Sequence, residues 1–384
     1  MDFDLTEEQR MIRQAVREFA EKEIAPKARH VDETGEFPAE TFRKMGELGL
    51  MGIPFPEEYG GAGADNVSAA IAVEEVARAC GSTALAYSAH MGLGSAPIAL
   101  FGTEAQKRAF LTPAAQGKYL AAFALTEPHA GSDAGATRTT ARLEGDEWVI
   151  NGTKMWITNA PVAGHLIVTA VTDPDKGKHG ISAIIVPGGT PGMTFGKHEP
   201  KMGLRGAVST AVMFEDVRVP KENLLGERGH GFAQFLQVLD GGRIGIGAMA
   251  LGLAQAAFEA ARAYAKERMA FGKPIGAFES VSNMIADMAA GLEAARLLVY
   301  QAAWLKDRGR PYSRQAAIAK LFASEVGEKI CRDAIQVFGG YGYSQEFPVE
   351  RLYRDQRLLT IGEGTSEILR VVIGRHELGP FVGT

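Results

Sequence analysis

The chain has 384 residues, of which 46% are hydrophobic and 23% charged, with a formal net charge of −5. That is enough apolar material for two or three globular domains of roughly 100–200 residues each. Its 41 Lys and Arg residues are dispersed rather than striped, which gives no reason to expect a nucleic-acid partner, and no run approaches the roughly 18 uncharged apolar residues of a membrane span.

The N-terminus, Met1-Asp2-Phe3-Asp4-Leu5, is acidic and has neither the basic nor the apolar region of a signal peptide, so a cytoplasmic protein is the expectation. Thr6 and Gln9 have capping-box spacing. Met11, Ile12, Ala15, Val16, Phe19 and Ile24 then recur at helical spacing up to Pro26. A second helix is expected from Pro38 through Phe42, Met45 and Leu48. A third covers about 68–80 and stops at Gly81. Cys80 and Cys331 form no CxxC, and the eight His residues show no ligand spacing, so no metal is expected.

From about 120 to 230 the period changes to two. Strands are expected over 139–143, 147–150, 166–171, 180–186 and 209–214, separated by Glu144-Gly145-Asp146, Asn151-Gly152 and Pro-Gly turns. From Gly231 the helical period returns over about 232–268, 280–307, 313–338 and 365–377, which reads as an antiparallel four-helix bundle. Gly245-x-Gly247 could suggest a dinucleotide fingerprint, but no strand precedes it and position 250 is Ala. The expected fold is multidomain α+β: an all-α domain over 1–120, a β-barrel or sandwich over 121–230, and a four-helix bundle over 231–384.

Near the C-terminus, Gly362-Glu363-Gly364-Thr365-Ser366 sets a carboxylate between two glycines, before a pair that can cap a helix. Four other runs precede it: Phe55-Pro56-Glu57-Glu58-Tyr59-Gly60-Gly61, Leu125-Thr126-Glu127-Pro128-His129-Ala130-Gly131-Ser132-Asp133, Asn151-Gly152-Thr153-Lys154-Met155-Trp156-Ile157-Thr158-Asn159 and Glu267-Arg268-Met269-Ala270-Phe271-Gly272-Lys273. A fifth, Gln336-Val337-Phe338-Gly339-Gly340, stands just upstream of the loop. In this order and spacing the chain resembles the acyl-CoA dehydrogenase family over essentially its whole length. The resemblance implies an FAD enzyme that forms a trans double bond between Cα and Cβ of an acyl-CoA thioester. It also implies electron transfer to an electron-transfer flavoprotein and assembly as a homotetramer, a dimer of dimers.

Removing the weakly acidic α-proton needs a positioned base and stabilisation of the enolate oxygen. By resemblance the base is Glu363, and its backbone N–H helps to hold the thioester oxygen. The family's alternative places the base just before Arg243, where this chain has Gly242. Gly362 stands where many members carry Tyr, which leaves the acyl chain unspecified: short, medium or branched. Phe123, Leu125, Thr126, Gly131, Ser132, Trp156, Ile157 and Thr158 are expected to line the flavin, with Thr365 and Glu367 near it. Arg268, Phe271, Gln336, Val337, Gly339 and Gly340 are expected to reach a flavin held by a neighbouring subunit. Ser132, Asp240, Arg243 and Gly364 are expected to contact the substrate. The helix around Ala86 to Gly92 is expected to floor the acyl pocket. An oxidase of the same fold is the rival reading; such enzymes usually run to much longer chains.

Overall fold

The structure, a computed structural model, describes residues 3–379; Met1 and Asp2 lie outside the described residues. Both halves of the expected capping box form at helix α1 (Glu7–Phe19): the Gln9 amide N–H donates to Thr6 Oγ1 and the Thr6 amide N–H to Gln9 Oε1. Pro26 does not end the helical path. It sits in the first turn of a short tight helix, where a missing N–H costs nothing, and α2 (Ala28–Thr34) follows. Next come α3 (Ala39–Glu47) and α4 (Asn66–Ala79), the latter capped by Asp65. Helix α4 ends within a residue or two of the expected stop at Gly81. Extended Cys80 makes the break, and a new helix, α5 (Gly81–Ala89), begins at Gly81, where a Cβ would lie 2.8 Å from Asp355 and Leu204. The segment closes with α6 (Ala96–Phe101), α7 (Glu104–Gln106) and α8 (Thr112–Ala115).

The middle of the chain forms one mixed sheet of eight strands: β1 (Leu120–Ala124), β2 (Thr140–Glu144), β3 (Glu147–Thr158), β4 (Ala163–Val171), β5 (Ile181–Pro187), β6 (Met193–Phe195), β7 (Ser209–Pro220) and β8 (Leu224–Leu225). The order is β6-β7-β3-β2-β4-β5-β8, with β1 parallel to β4. The expected Asn151-Gly152 turn is instead the interior of β3. A bulge shifts register between Ile150 and Gly152, and Asn151 exchanges hydrogen bonds with Asp216 on β7. Only glycine fits at 152, since a Cβ would come within 2.7 Å of Thr139 Cα. The expected strands did not include β1, whose Leu-Ala-Ala-Phe-Ala run is covered on both faces and does not alternate.

The helical remainder comprises α9 (Gly231–Glu267), a small hairpin of β9 (Met269–Ala270) and β10 (Lys273–Pro274), α10 (Glu279–Asp307), α11 (Ser313–Phe338), α12 (Val349–Gln356) and α13 (Ser366–Leu378). Contrary to the sequence expectation, α9 does contain a stretch as long and apolar as a membrane span; 67% of that stretch is buried inside the protein. Its glycines are contact points. Cβ atoms at Gly245, Gly247 and Gly252 would press on Ser88 Oγ (2.5 Å), Val299 Cγ2 (2.9 Å) and the Glu74 carbonyl (2.2 Å), so close helix packing explains them. The first and last thirds of the chain share one hydrophobic core, in which Val76 and Tyr87 join Leu251, Leu253 and Ala323. Polar ties cross the same boundary: Arg296 to Glu74 (3.0 Å), Tyr300 to Glu74 (2.6 Å) and Arg354 to Asp32 (2.5 Å).

Candidate active site

The loop before α13 is built to turn sharply. Gly362 N–H donates to the Leu358 carbonyl (2.9 Å), and the chain then passes through two left-handed residues, Glu363 at φ 54° and Gly364 at φ 97°. Thr365 restarts the helix, its Oγ1 accepting from the Ile368 amide. A glutamate in the left-handed region is strained by about 1–3 kcal/mol and persists only when its surroundings fix it. Part of that fixing comes from Lys320 on α11. It is fully buried, and its Nζ donates to the Gly364 carbonyl at 2.7 Å.

The turn aims the Glu363 side chain inward. Among the described residues its Oε2 is buried without a hydrogen-bond partner, and it lies so close to α9 that a Cβ on Gly242 would be 2.2 Å away. A side chain at 242 and the Glu363 carboxylate therefore cannot share this space. Burial raises the Glu363 pKa to about 7, against the opposing pull of Lys320 and Arg243. Arg243 is itself buried and ion-paired with Asp240 (2.5 Å), whose own pKa burial raises despite that partner. The Glu363 N–H has no backbone acceptor in the loop. Gly242 also lines a cavity of about 210 Å³ whose walls include Ser88, Met91, Gly92, Val238 and Gly245. Gly362 leaves open space, with nothing closer to a would-be Cβ than Leu358 at 3.8 Å.

A second group gathers on the sheet. Met155 N–H donates to the Thr126 carbonyl (2.8 Å), joining the run after β1 to β3 beside Trp156. The joint is bolted by Lys154, whose buried Nζ donates to the Leu125 carbonyl (3.1 Å), Glu127 (2.8 Å) and Thr169 (3.1 Å). Glu127 in turn accepts from the Arg138 and Thr139 amides. Neither Lys154, Glu127 nor Lys320 was singled out from sequence, because a lysine's burial leaves no local signature. Trp156, at φ 62°, keeps 55% of its surface exposed. Phe123, Leu125, Thr126 and Thr158 are half-buried, and Gly131 and Ser132 lie in an exposed loop. Ile157 turns its side chain into the sheet core, which leaves only its backbone to face a ligand. A half-exposed indole beside hydroxyls and free loop backbone suits one face of a planar heteroaromatic ring such as a flavin.

A third group stands apart. Arg268, Val337, Gly339 and Gly340 line an open hollow of about 630 Å³, with the Arg268 guanidinium over the Tyr341 ring. Gln336 is exposed at the end of α11, and Phe271 is 95% exposed at φ 49° in the β9–β10 turn. Neither Arg268 nor Phe271 lines the cavity beside Gly242. Thr365 and Glu367 sit at the start of α13, close in sequence to Glu363.

Three family models match: the acyl-CoA dehydrogenase N-terminal domain over residues 6–118, the middle domain over 122–217 and the C-terminal domain over 229–378. The chain belongs to the acyl-CoA dehydrogenase family. This acyl-CoA dehydrogenase homologue is 59% identical to the probable acyl-CoA dehydrogenase YngJ of Bacillus subtilis, over 98% of this chain and 100% of that protein. It is 51% identical to the short-chain specific acyl-CoA dehydrogenase of Clostridium acetobutylicum, over 97% and 98% of the two chains. Among solved structures, butyryl-CoA dehydrogenase from Megasphaera elsdenii aligns with TM-score 0.97 and 46% identity, covering 98% of this chain and 100% of that one. A chain from the electron transferring flavoprotein structure of Acidaminococcus fermentans aligns with TM-score 0.98 and 49% identity, over 98% and 100%. Acyl-CoA dehydrogenases are oxidoreductases, and the family is FAD-dependent.

Proposed function

We propose that the chain oxidises a short-, medium- or branched-chain acyl-CoA to the trans-2-enoyl-CoA, with Glu363 as the base and FAD as the cofactor. The observation that carries this reading is the Glu363 carboxylate: buried, without a hydrogen-bond partner, titrating near neutrality and abutting Gly242 in the wall of a mainly apolar cavity. A carboxylate with its hydrogen-bonding capacity unspent is available to take up a proton. With a thioester placed so that its α-carbon meets Oε2, the C–H proton passes to Glu363 as the Cα=Cβ bond forms and hydride departs from Cβ. The Glu363 N–H, which has no backbone acceptor, would donate to the thioester oxygen where negative charge develops. Bound FAD supplies the hydride acceptor.

Arg243, Asp240, Ser132 and Gly364 would hold the CoA portion, and the Trp156 face with Thr126 and Thr158 would hold the ring. Arg268, Phe271 and the 336–340 turn would complete the flavin site of a neighbouring subunit, giving a homotetramer as a dimer of dimers. Their separation from the cavity beside Gly242 supports that reading. An electron-transfer flavoprotein is the proposed acceptor, supported by the likeness to the Acidaminococcus structure. The spanning-length stretch of α9 is buried among helices, which fits a soluble cytoplasmic enzyme.

The test is Glu363→Gln. It should stay yellow and bind substrate, while anaerobic flavin reduction by acyl-CoA slows by about 10²–10⁴-fold. Near-wild-type reduction would remove Glu363 from the mechanism.

A further inference from the structure

Two buried lysines stabilise turns in this protein, and they differ in a telling way. Lys154 donates to three acceptors, one of them the Glu127 carboxylate, so its charge and its N–H groups are all used locally. Lys320 is equally buried, yet among the described residues it makes one hydrogen bond, to the Gly364 carbonyl. Holding one neutral carbonyl does not require a cation, and burying a cation is unfavourable unless an anion compensates it. The anion in question is Glu363, one residue before the carbonyl that Lys320 holds. It is the first of the charges acting on Lys320, and Lys320 is the first of the charges acting on Glu363.

We propose that Lys320 is a positioning residue for the reaction: its ammonium fixes the left-handed Glu363-Gly364 turn through the Gly364 carbonyl, and its charge stabilises the ionised base without bonding to it. The second half matters because Glu363 Oε2 has no hydrogen-bond partner. A direct ion pair would engage the lone pair that must receive the α-proton. A cation tied to the backbone one residue away stabilises the carboxylate and leaves that oxygen free. The other charges around the site do not replace it. Arg243, on α9, also acts on Glu363 but is ion-paired with Asp240 and faces Tyr312. Glu325 and Glu367, the remaining anions acting on Lys320, do so more weakly than Glu363. Burial takes Lys320 itself down to about 8, so it is still charged where Glu363 titrates, at about 7.

This rests on Glu363 as the base, and the experiment separates the two. Anaerobic flavin reduction by butyryl-CoA is followed across about pH 5.5 to 9 for wild type, Lys320→Met, Lys320→Arg and Glu363→Gln. Wild type should show a rising limb with its midpoint near 7. In Lys320→Met the midpoint should move up by about one pH unit, which slows the reaction about tenfold on the acid side and less at high pH. Lys320→Arg keeps the charge and should keep the midpoint, whatever it does to the maximal rate. A Lys320→Met profile that is lower everywhere but unmoved in midpoint would overturn the proposal and leave Lys320 a packing residue. If Lys320→Met fails to retain FAD, Lys320→Gln, which keeps a donor but no charge, takes its place with the same expectation. A Glu363→Gln enzyme as fast as wild type would instead sink the assignment of the base.

Discussion

Gly242→Ala tests the geometry of the site more sharply than replacement of Glu363, the proposed base, does. The added methyl would lie 2.2 Å from Glu363 Oε2, 3.1 Å from its Cδ and 3.2 Å from a methyl of Leu93. Restoring an ordinary contact of about 3.4 Å means moving the carboxylate oxygen by about 1.2 Å, and a misplacement of about 1 Å can cost about 10²-fold in rate. The conflict is with the far end of a flexible side chain, so the fold need not suffer. Inside a helix, alanine is favoured over glycine by about 1 kcal/mol, which offsets the tighter contact with Leu93. The expected variant is therefore stable, yellow and slow: anaerobic stopped-flow reduction down by about 10²-fold, with FAD content and melting temperature close to wild type. Reduction within about threefold of wild type would refute the placement of the carboxylate against α9.

Four further outcomes follow from the same structure. Glu363 accepts a proton only when ionised, so reduction should rise with pH and level off above about 7; a flat profile would contradict the buried carboxylate. Its raised pKa also means that the folded state holds this proton more tightly than the unfolded chain. The stability it lends is full below the ordinary carboxyl value and lost as pH rises through about 7, so Glu363→Gln should melt higher than wild type at about pH 8 and not at about pH 5. Lys154→Met strands the buried Glu127 carboxylate and should cost about 3–5 kcal/mol in chemical denaturation, partly recovered by adding Glu127→Gln; no recovery would mean that packing, not charge, is what Lys154 supplies. Arg268→Ala should weaken FAD retention on dialysis while leaving the cavity beside Gly242 intact, and unchanged retention would separate the 630 Å³ hollow from the cofactor.

Where the chain obeys one period for many residues, the sequence was legible: the four long C-terminal helices start and stop within a residue or two of expectation, because their apolar spacing is long and uninterrupted. Punctuation misled where tertiary contact overrides local preference. Asn151-Gly152 looks like a hairpin turn, but strand β7 fixes it as a bulge; Gly81 marks the helix stop as expected but also begins a second helix, pressed against Asp355. Buried on both faces, β1 showed no alternation to read. Glu363 was found through its flanking glycines and its motif company. Lys320 and Lys154 were not, since nothing near a lysine in sequence says that it is buried. The stretch of α9 long enough to span a bilayer also shows that hydropathy measures burial and not what does the burying.

The core shared by the two ends of the chain has a consequence for how the protein comes into being. Helix α4 finds its partners in α9 and α10; Glu74 waits 222 residues for Arg296, and Asp32 waits 322 for Arg354. During synthesis the first hundred residues therefore emerge with an apolar face that nothing yet made can cover, while the sheet between them can pair its own strands as it appears. At a few residues to some tens per second, that interval lasts on the order of ten seconds or more. A nascent chain halted before α9 should present this surface to chaperones or to its own copies, and the non-local closure makes the helical body, for all its local structure, the late and slow part to fold.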